Sequence, residues 1–393
     1  MPNYPSPRIR DLRVRRVWPT QTTIASRFEI ASTFPPAHSP SERNAGSDFI
    51  EIVTDGGAVG RFGPVTDLQS FIALRYIAPK AIGRPLLESQ ALLSECRSSY
   101  RFADSAEMLR AIAAVDWAVW DLRARLTGIP VWALLGRRKR TSVPAYASLL
   151  GYEIDSDAAC ELAGEVAKRG FVGQKWRLPE GPASGKAGLR RNYERIARIR
   201  SAVGRAHLLM VDARASWTPQ YTIALASLID PLGVLWIEEP LAPLDFLGIG
   251  RIVARSHVPI ATGEHLYGSL EFRQLLALSR VRWIQPDAAW CGGILEAKRI
   301  LHLAKRFGAS VAFHGAGLLP ALHLAVVHDR ALVPFLEYHI SLEPHRQRLF
   351  RVGITAENGH LDSPILPGLG VDLDDTQIAR ECMLYATDNY ASP

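Results

Sequence analysis

Hydrophobic and polar positions follow two regimes along the chain. Up to about residue 141 the pattern is mixed. Ile9 to Trp18 interleaves apolar and charged residues, as a strand with one buried face does. Thr23 to Ala31 and "DFIEIVTDGG" read as further strands. "TDLQSFIALRYIAPKAIG" and "SAEMLRAIAAVDWAVWDLRARLTG" space their apolar residues helically, and Ser105 caps the second. The polar, proline-rich stretch "STFPPAHSPSERNAG" (32–46) reads as a loop. From about 142 the chain alternates short apolar runs with helical stretches such as Ala187 to Val203 and Gly293 to Arg306. The runs are "SVPAYASLL", "GQKWRL", "HLLMVDA", "GVLWIEEP", "PIATGE", "VRWIQPDA", "SVAFHG" and "PFLEYH". Eight strand–helix units predict an α/β fold, a (β/α)8-type barrel preceded by an α+β domain. The expected boundaries are 1–141 for the first domain, 142–360 for the barrel, and 361–393 for an irregular segment returning to the first domain.

Composition narrows the function classes. With 46 Lys+Arg against 39 Asp+Glu, the net charge is +7. The basic clusters at Arg8 to Arg16 and in "GRRKR" lack interleaved aromatics and match no nucleic-acid module. They read as solvated surface that also attracts anionic substrates. No apolar run reaches the ~18 residues of a membrane span, and the N-terminus lacks a secretory pattern. Cys96, Cys160, Cys291 and Cys382 are scattered, as reduced thiols of a cytoplasmic protein would be. "GPASGKAG" is one residue short of a phosphate-binding loop and reads as an ordinary loop.

The chemistry sits at the strand ends, where barrels of this type build their sites. The run "VLWIEEP" ends in two adjacent acids, Glu238 and Glu239, whose charges repel and resist burial. Alternation sends only one of them into the barrel mouth. Asp212, Glu238 and Glu264 end three neighbouring strands, at one height on this reading. A hard divalent cation with oxygen ligands removes their conflict, and Mg²⁺ suits such a donor set. Glu239 then faces outward or pairs with a base. One strand-end acid alone is more often a cap or surface group; three in succession point to a metal. Asp287 and His314 end the next two strands. A lone histidine is usually a packed core residue, but beside this triad a carboxylate–imidazole pair reads as a general acid/base. Lys175, Arg177 and Glu337 complete the ring.

These residues carry a resemblance. "VDA", "WIEEP", "GEH", "QPD" and "FHG" occur in the order found in the enolase superfamily, within its mandelate racemase group. The resemblance implies an N-terminal capping domain and Mg²⁺ held by Asp212, Glu238 and Glu264. A substrate carboxylate binds the metal, a base takes the proton α to it, and the enediolate is stabilised. Glu337 resembles the strand-eight acid that bonds the substrate carboxylate in protonated form. Racemases of the group carry Lys-x-Lys on strand two; here Lys175 is followed by Arg177, a poor base. A racemase needs a base on each face, whereas a dehydratase needs one proton abstracted and a hydroxyl expelled, which His314 alone can do. His265 and "QPDAAWCGG" resemble the L-rhamnonate dehydratase branch. There the capping domain supplies a His and an Arg to the substrate, for which His38 and Arg61 are the counterparts here. Arg214 binds substrate or pairs with Glu239. The expectation is therefore a Mg²⁺-dependent acid-sugar dehydratase. The alternatives are a racemase or epimerase of a 2-hydroxy acid and a non-catalytic sugar-acid-binding relative. The expected partners are a small sugar acid or 2-hydroxy acid and further copies of the chain in a homo-oligomer, with no nucleic acid and no membrane.

Overall fold

The computed structural model describes residues 6–20 and 46–386. The strand expected at 23–31, most of the 32–46 loop and His38 lie outside the described residues. Within them, no helix is long and apolar enough to cross a membrane.

The first domain is an antiparallel sheet in the order β13-β1-β2-β3. Its members are β1 (Ile9–Pro19), β2 (Ser47–Thr54), β3 (Val59–Val65) and, from the far end of the chain, β13 (Ile378–Tyr385). In β1, Ile9, Leu12, Val14 and Val17 are buried. The intervening arginines pair across the sheet, Arg13 with Glu51, Arg16 with Asp48 and Arg15 with Glu381. The 22-residue helix Ala106–Thr127 starts at Ser105, whose hydroxyl accepts from Met108 N, and stops at Gly128 in a left-handed turn. It crosses β3 so closely that a Cβ on Gly60 would lie 2.4 Å from Ala118 O. That contact explains why β3 is hard to read: the glycines and proline of "VGRFGPV" dilute the strand pattern in order to let the helix in.

Each of the eight predicted apolar runs contains a barrel strand: β4 (Ser142–Ser148), β5 (Gly173–Arg177), β6 (Leu208–Asp212), β7 (Trp236–Glu238), β8 (Ile260–Thr262), β9 (Trp283–Ile284), β10 (Ser310–Val311) and β11 (Leu336–His339). They form one parallel sheet ordered β10-β9-β8-β7-β6-β5-β4-β11. Among the described residues no ladder joins β10 to β11. The seam is crossed by Val311 N donating to Leu332 O at 2.7 Å and Gly315 N to Glu337 Oε2 at 3.0 Å. The interior is floored by Tyr146, Met210, Trp236, Ala261, Ala312 and Phe335, with Trp283 stacked on Phe335 at 5.5 Å.

Two elements lie in the terminal segment. β12 (His360–Asp362) pairs with β4 of the barrel, and β13 pairs with β1. β13 is eight residues of the stretch read as irregular; it is half-exposed and packs little, so its sequence carries no sharp alternation. "GPASGKAG" likewise runs into a helix, Gly185–Val203. The long helix of the first domain also grips the loop after β9. Trp117 Nε1 donates to Ala288 O, and Ile294 N donates to Asp116, both at 2.8 Å.

His323 ties three segments. Its Nδ1 accepts from Trp132 N at 3.0 Å and its Nε2 donates to Leu369 O at 2.9 Å, so the ring is neutral. Burial pushes its pKa down to about 4. An unfolded histidine titrates near ~6.5, so the unfolded chain binds the extra proton first. The stability this ring contributes is full above that pH and falls as pH drops toward 4, by ~3 kcal/mol across the window. Urea unfolding measured from pH 7 to pH 4.5 is expected to show this loss, with a shallower pH slope in His323→Gln.

Candidate active site

The strand period builds the site two residues beyond the barrel floor. Tyr146 leads to Ser148, Met210 to Asp212, Trp236 to Glu238, Ala312 to His314, and Phe335 to Glu337 and then His339. Asp212 and Glu238 are register partners on adjacent strands. Glu264 is not level with them. Glu238 is opposite Ala261, and Glu264 follows three residues later, past the end of β8. The single height expected from sequence therefore holds for two of the three acids, because β8 ends before its acid.

Lys175 is the hub. It is fully buried, and its Nζ contacts Glu238 Oε1, lies 2.9 Å from Glu337 Oε1 and 3.9 Å from Asp212 Oδ2. Burial alone would discharge it, but Glu238 and Glu337 hold it protonated, well above the usual lysine range. Glu238 also accepts from Trp236 Nε1 at 3.1 Å and Gln285 Nε2 at 2.5 Å. Burial pushes Glu238 up to about 8 despite Lys175, with Asp212 adding to the rise. Burial also disfavours charge on Glu337, yet Lys175 overrides it and holds this carboxyl well below its ordinary range. The ammonium at hydrogen-bond distance favours the ionised form of Glu337, where the resemblance implies a protonated acid once a substrate carboxylate is bound.

Across the mouth stands the imidazole pair. His314 Nδ1 bonds Asp287 Oδ2 at 2.8 Å. Asp287 is oriented by Ala289 N at 2.8 Å and Gly317 N at 3.1 Å. His314 Nε2 faces Glu264 at 3.5 Å. Burial opposes a charged ring, but Glu264 and Asp287 together raise His314 to about 9. Trp290 packs on the His314 ring, with centroids 5.0 Å apart, and Arg110 of the first domain covers Trp290 at 4.6 Å.

Glu239, the second acid of "WIEEP", is buried at a positive φ of 38° and pairs with His265 Nδ1 at 2.8 Å. The base left open by the sequence is therefore His265, and not Arg214. Glu239, Glu264 and His265 bring ligand atoms within 4.8 Å of one another, as do His314, Glu337 and His339. The set Asp212, Glu238 and Glu264 does not fall within that span among the described residues, since Lys175 bonds the first two strands' acids and Glu264 leans to His265 and His314. Arg177 is exposed at the level of Asp212. Arg214 is exposed, and its backbone N–H caps Asp212 at 2.8 Å. Arg61 is held in the first domain's sheet by Glu51 at 3.1 Å, while its N–H bonds Asp121; its described partners are all in that domain. His339, Ser148, Gln285 and Trp290 were not singled out in the sequence. For His339 and Ser148 the signal was available: each follows a named inward position by two.

Comparison with known proteins decides the lineage. Residues 158–377 match the enolase C-terminal domain-like family, and residues 41–136 match the mandelate racemase / muconate lactonizing enzyme N-terminal domain. The chain belongs to the enolase superfamily. An L-rhamnonate dehydratase of Saccharopolyspora erythraea is 32% identical over 337 residues, covering 84% of this chain and 83% of that protein. Among solved superfamily structures, L-talarate dehydratase from Polaromonas sp. JS666, complexed with Mg and L-glucarate, is 28% identical with a TM-score of 0.77, covering 97% of this chain and 99% of the other. Rhamnonate dehydratase from Gibberella zeae, complexed with Mg, shares the superfamily fold at a TM-score of 0.81 and 24% identity, covering 99% and 98%.

Removing one partner of a buried ion cluster strands the others. Lys175→Met is expected to lower unfolding stability by about 3–5 kcal/mol in metal-free protein, measured by urea denaturation at pH 7.5. Added Mg²⁺ should recover part of the loss.

Proposed function

We propose that this protein is a Mg²⁺-dependent acid-sugar dehydratase that removes water from a sugar acid to give a 2-keto-3-deoxy acid. The observation that carries the reading is a mouth with one competent base. The Asp287–His314 pair stands opposite the acids, while the second strand-two position holds the exposed Arg177. The resemblance to a rhamnonate dehydratase at 32% identity over most of both chains supports the same class and a rhamnonate-like substrate.

The residues fit a divalent cation. Asp212, Glu238 and Glu337 place three carboxylates around one ammonium, with Glu264 at the rim beside His265 and His314, so the mouth holds more carboxylates than cationic partners. Asp212, Glu238 and Glu264 would hold Mg²⁺ through oxygen donors. When bound, the ion would anchor a carboxylate and offset the negative charge that develops on it. Lys175 starts two residues deeper on its strand, opposite Met210, but its Nζ reaches up among Asp212, Glu238 and Glu337 and would present an N–H to the same carboxylate. With Glu264 holding a cation, the larger of the two charges that raise the ring would be offset; Asp287 then accepts from Nδ1–H of a neutral His314, and the Nε2 lone pair would take the α-proton. The imidazolium formed is stabilised by Asp287, and Nε2–H then returns its proton to the departing β-hydroxyl. Trp290 under Arg110 screens that ring from water. Proton and hydroxyl leave as water, and the enol that remains tautomerises to the keto acid.

His314→Asn should lose 10²–10⁴-fold or more in kcat, a typical general acid/base contribution, while keeping Mg²⁺ and sugar-acid binding. A variant with near-normal kcat on a confirmed substrate refutes the assignment. Calorimetric titration of chelator-stripped protein should show about one Mg²⁺ site, weakened in Glu238→Gln and Glu264→Gln. The racemase reading predicts deuterium in recovered substrate with inverted configuration after turnover in heavy water. The dehydratase reading predicts a 2-keto product when a library of acid sugars is screened.

A further inference from the structure

His339 is a polar residue of the barrel mouth that the mechanism does not use. It is 1% exposed, and neither Nδ1 nor Nε2 has a hydrogen-bond partner. Buried imidazoles normally satisfy both nitrogens. The ring points into the barrel. It is two residues beyond Glu337, its Nε2 lies 3.5 Å from Glu337 Oε1, and its centroid is 5.7 Å from that of His314. Gly315 makes room for it, since a Cβ there would lie 2.5 Å from His339 Cδ2. Its register partner, Ser148, has an equally unpartnered buried hydroxyl, as does Tyr146 one layer below. The orphaned atoms thus line one wall, β11–β4, beside the base. Burial keeps the ring uncharged, and Arg346, His314 and Lys175 reinforce this against the pull of Glu337. A neutral imidazole offers one N–H and one lone pair, and a serine hydroxyl can do either. That combination suits a hydroxyl, which both donates and accepts, better than a carboxylate, which only accepts.

We propose that His339, with Ser148 beside it, is a specificity-determining residue that binds a hydroxyl of the sugar acid's carbon chain. This rests on the dehydratase reading above and extends it to which substrates are accepted. A site built to bond a hydroxyl discriminates against the analogue that lacks it, because the buried partners are then left unpaired.

The test compares wild type, His339→Leu, His339→Gln and Ser148→Ala on the acid sugar that wild type dehydrates and on its deoxy analogues. For wild type, one deoxy analogue should fall below the parent by about 10-fold or more in kcat/KM. His339→Leu should lose roughly 3- to 10-fold on the parent, mainly in KM, and should no longer distinguish parent from that analogue. His339→Gln, which keeps a donor and an acceptor, should restore part of the discrimination. Mg²⁺ affinity should not change in any of them. An equal loss on every analogue, or unchanged discrimination in a folded His339→Leu, overturns the proposal while the dehydratase assignment stands. If His339→Leu does not fold, His339→Gln and Ser148→Ala decide: unaltered discrimination in both overturns it. Wild type that converts no acid sugar in the library overturns the dehydratase reading and this proposal with it.

Discussion

The mouth of the barrel concentrates negative charge where water is scarce. Asp212, Glu238 and Glu337 are buried around one ammonium, Lys175, above a floor of Tyr146, Trp236 and Phe335 that screens almost nothing. Most of the other features can be read as ways of living with that excess. Glu238 takes two further donors, from Trp236 and Gln285. Glu239 turns away through a left-handed backbone to reach His265. Glu264 stands past the end of its strand, where it is part-exposed and borders two imidazoles. The same crowding that strains the protein alone would give a divalent ion its affinity, and it sets His314 facing Glu264 across the mouth.

The first domain participates in this arrangement through its long helix. Asp116 and Trp117 hold both ends of the loop that begins at Asp287, and Arg110 presses Trp290 onto His314. The carboxylate that sets the histidine's tautomer is therefore positioned by residues nearly two hundred positions earlier in the chain. Domain and barrel act as one scaffold for the Asp287–His314 pair.

Much of this was legible beforehand because the barrel repeats one rule. A short apolar run buries both faces, and the first polar residue to follow it marks the mouth; that rule located all eight strands and the acids of β6, β7 and β11. It misjudged the height of Glu264 because run length does not reveal where pairing stops. It missed β3 because Gly60 is selected by a neighbouring helix and not by the strand. It missed β13 because a half-exposed edge has little apolar pattern to show. Arg61 illustrates a different limit: the resemblance offered it as a substrate contact, and the sequence does not reveal that Glu51, on the adjacent strand, pairs with it. His339 lay within reach of the period-two argument, but a buried ring with no partner is a three-dimensional fact.

The pairing of β13 with β1 has a consequence for how the chain is made. A ribosome delivers β1 first and its edge partner last, after every barrel strand. Until then β1 is an open border of the sheet, the kind of surface that recruits strands from other chains. Arg13 and Arg16 are claimed by Glu51 and Asp48 of β2, while Arg15 finds its partners, Asp375 and Glu381, only in the late segment. During synthesis Arg15 would serve as a guard that repels a second copy, and only in the finished molecule do Glu381 and Asp375 convert it from a guard into a clasp.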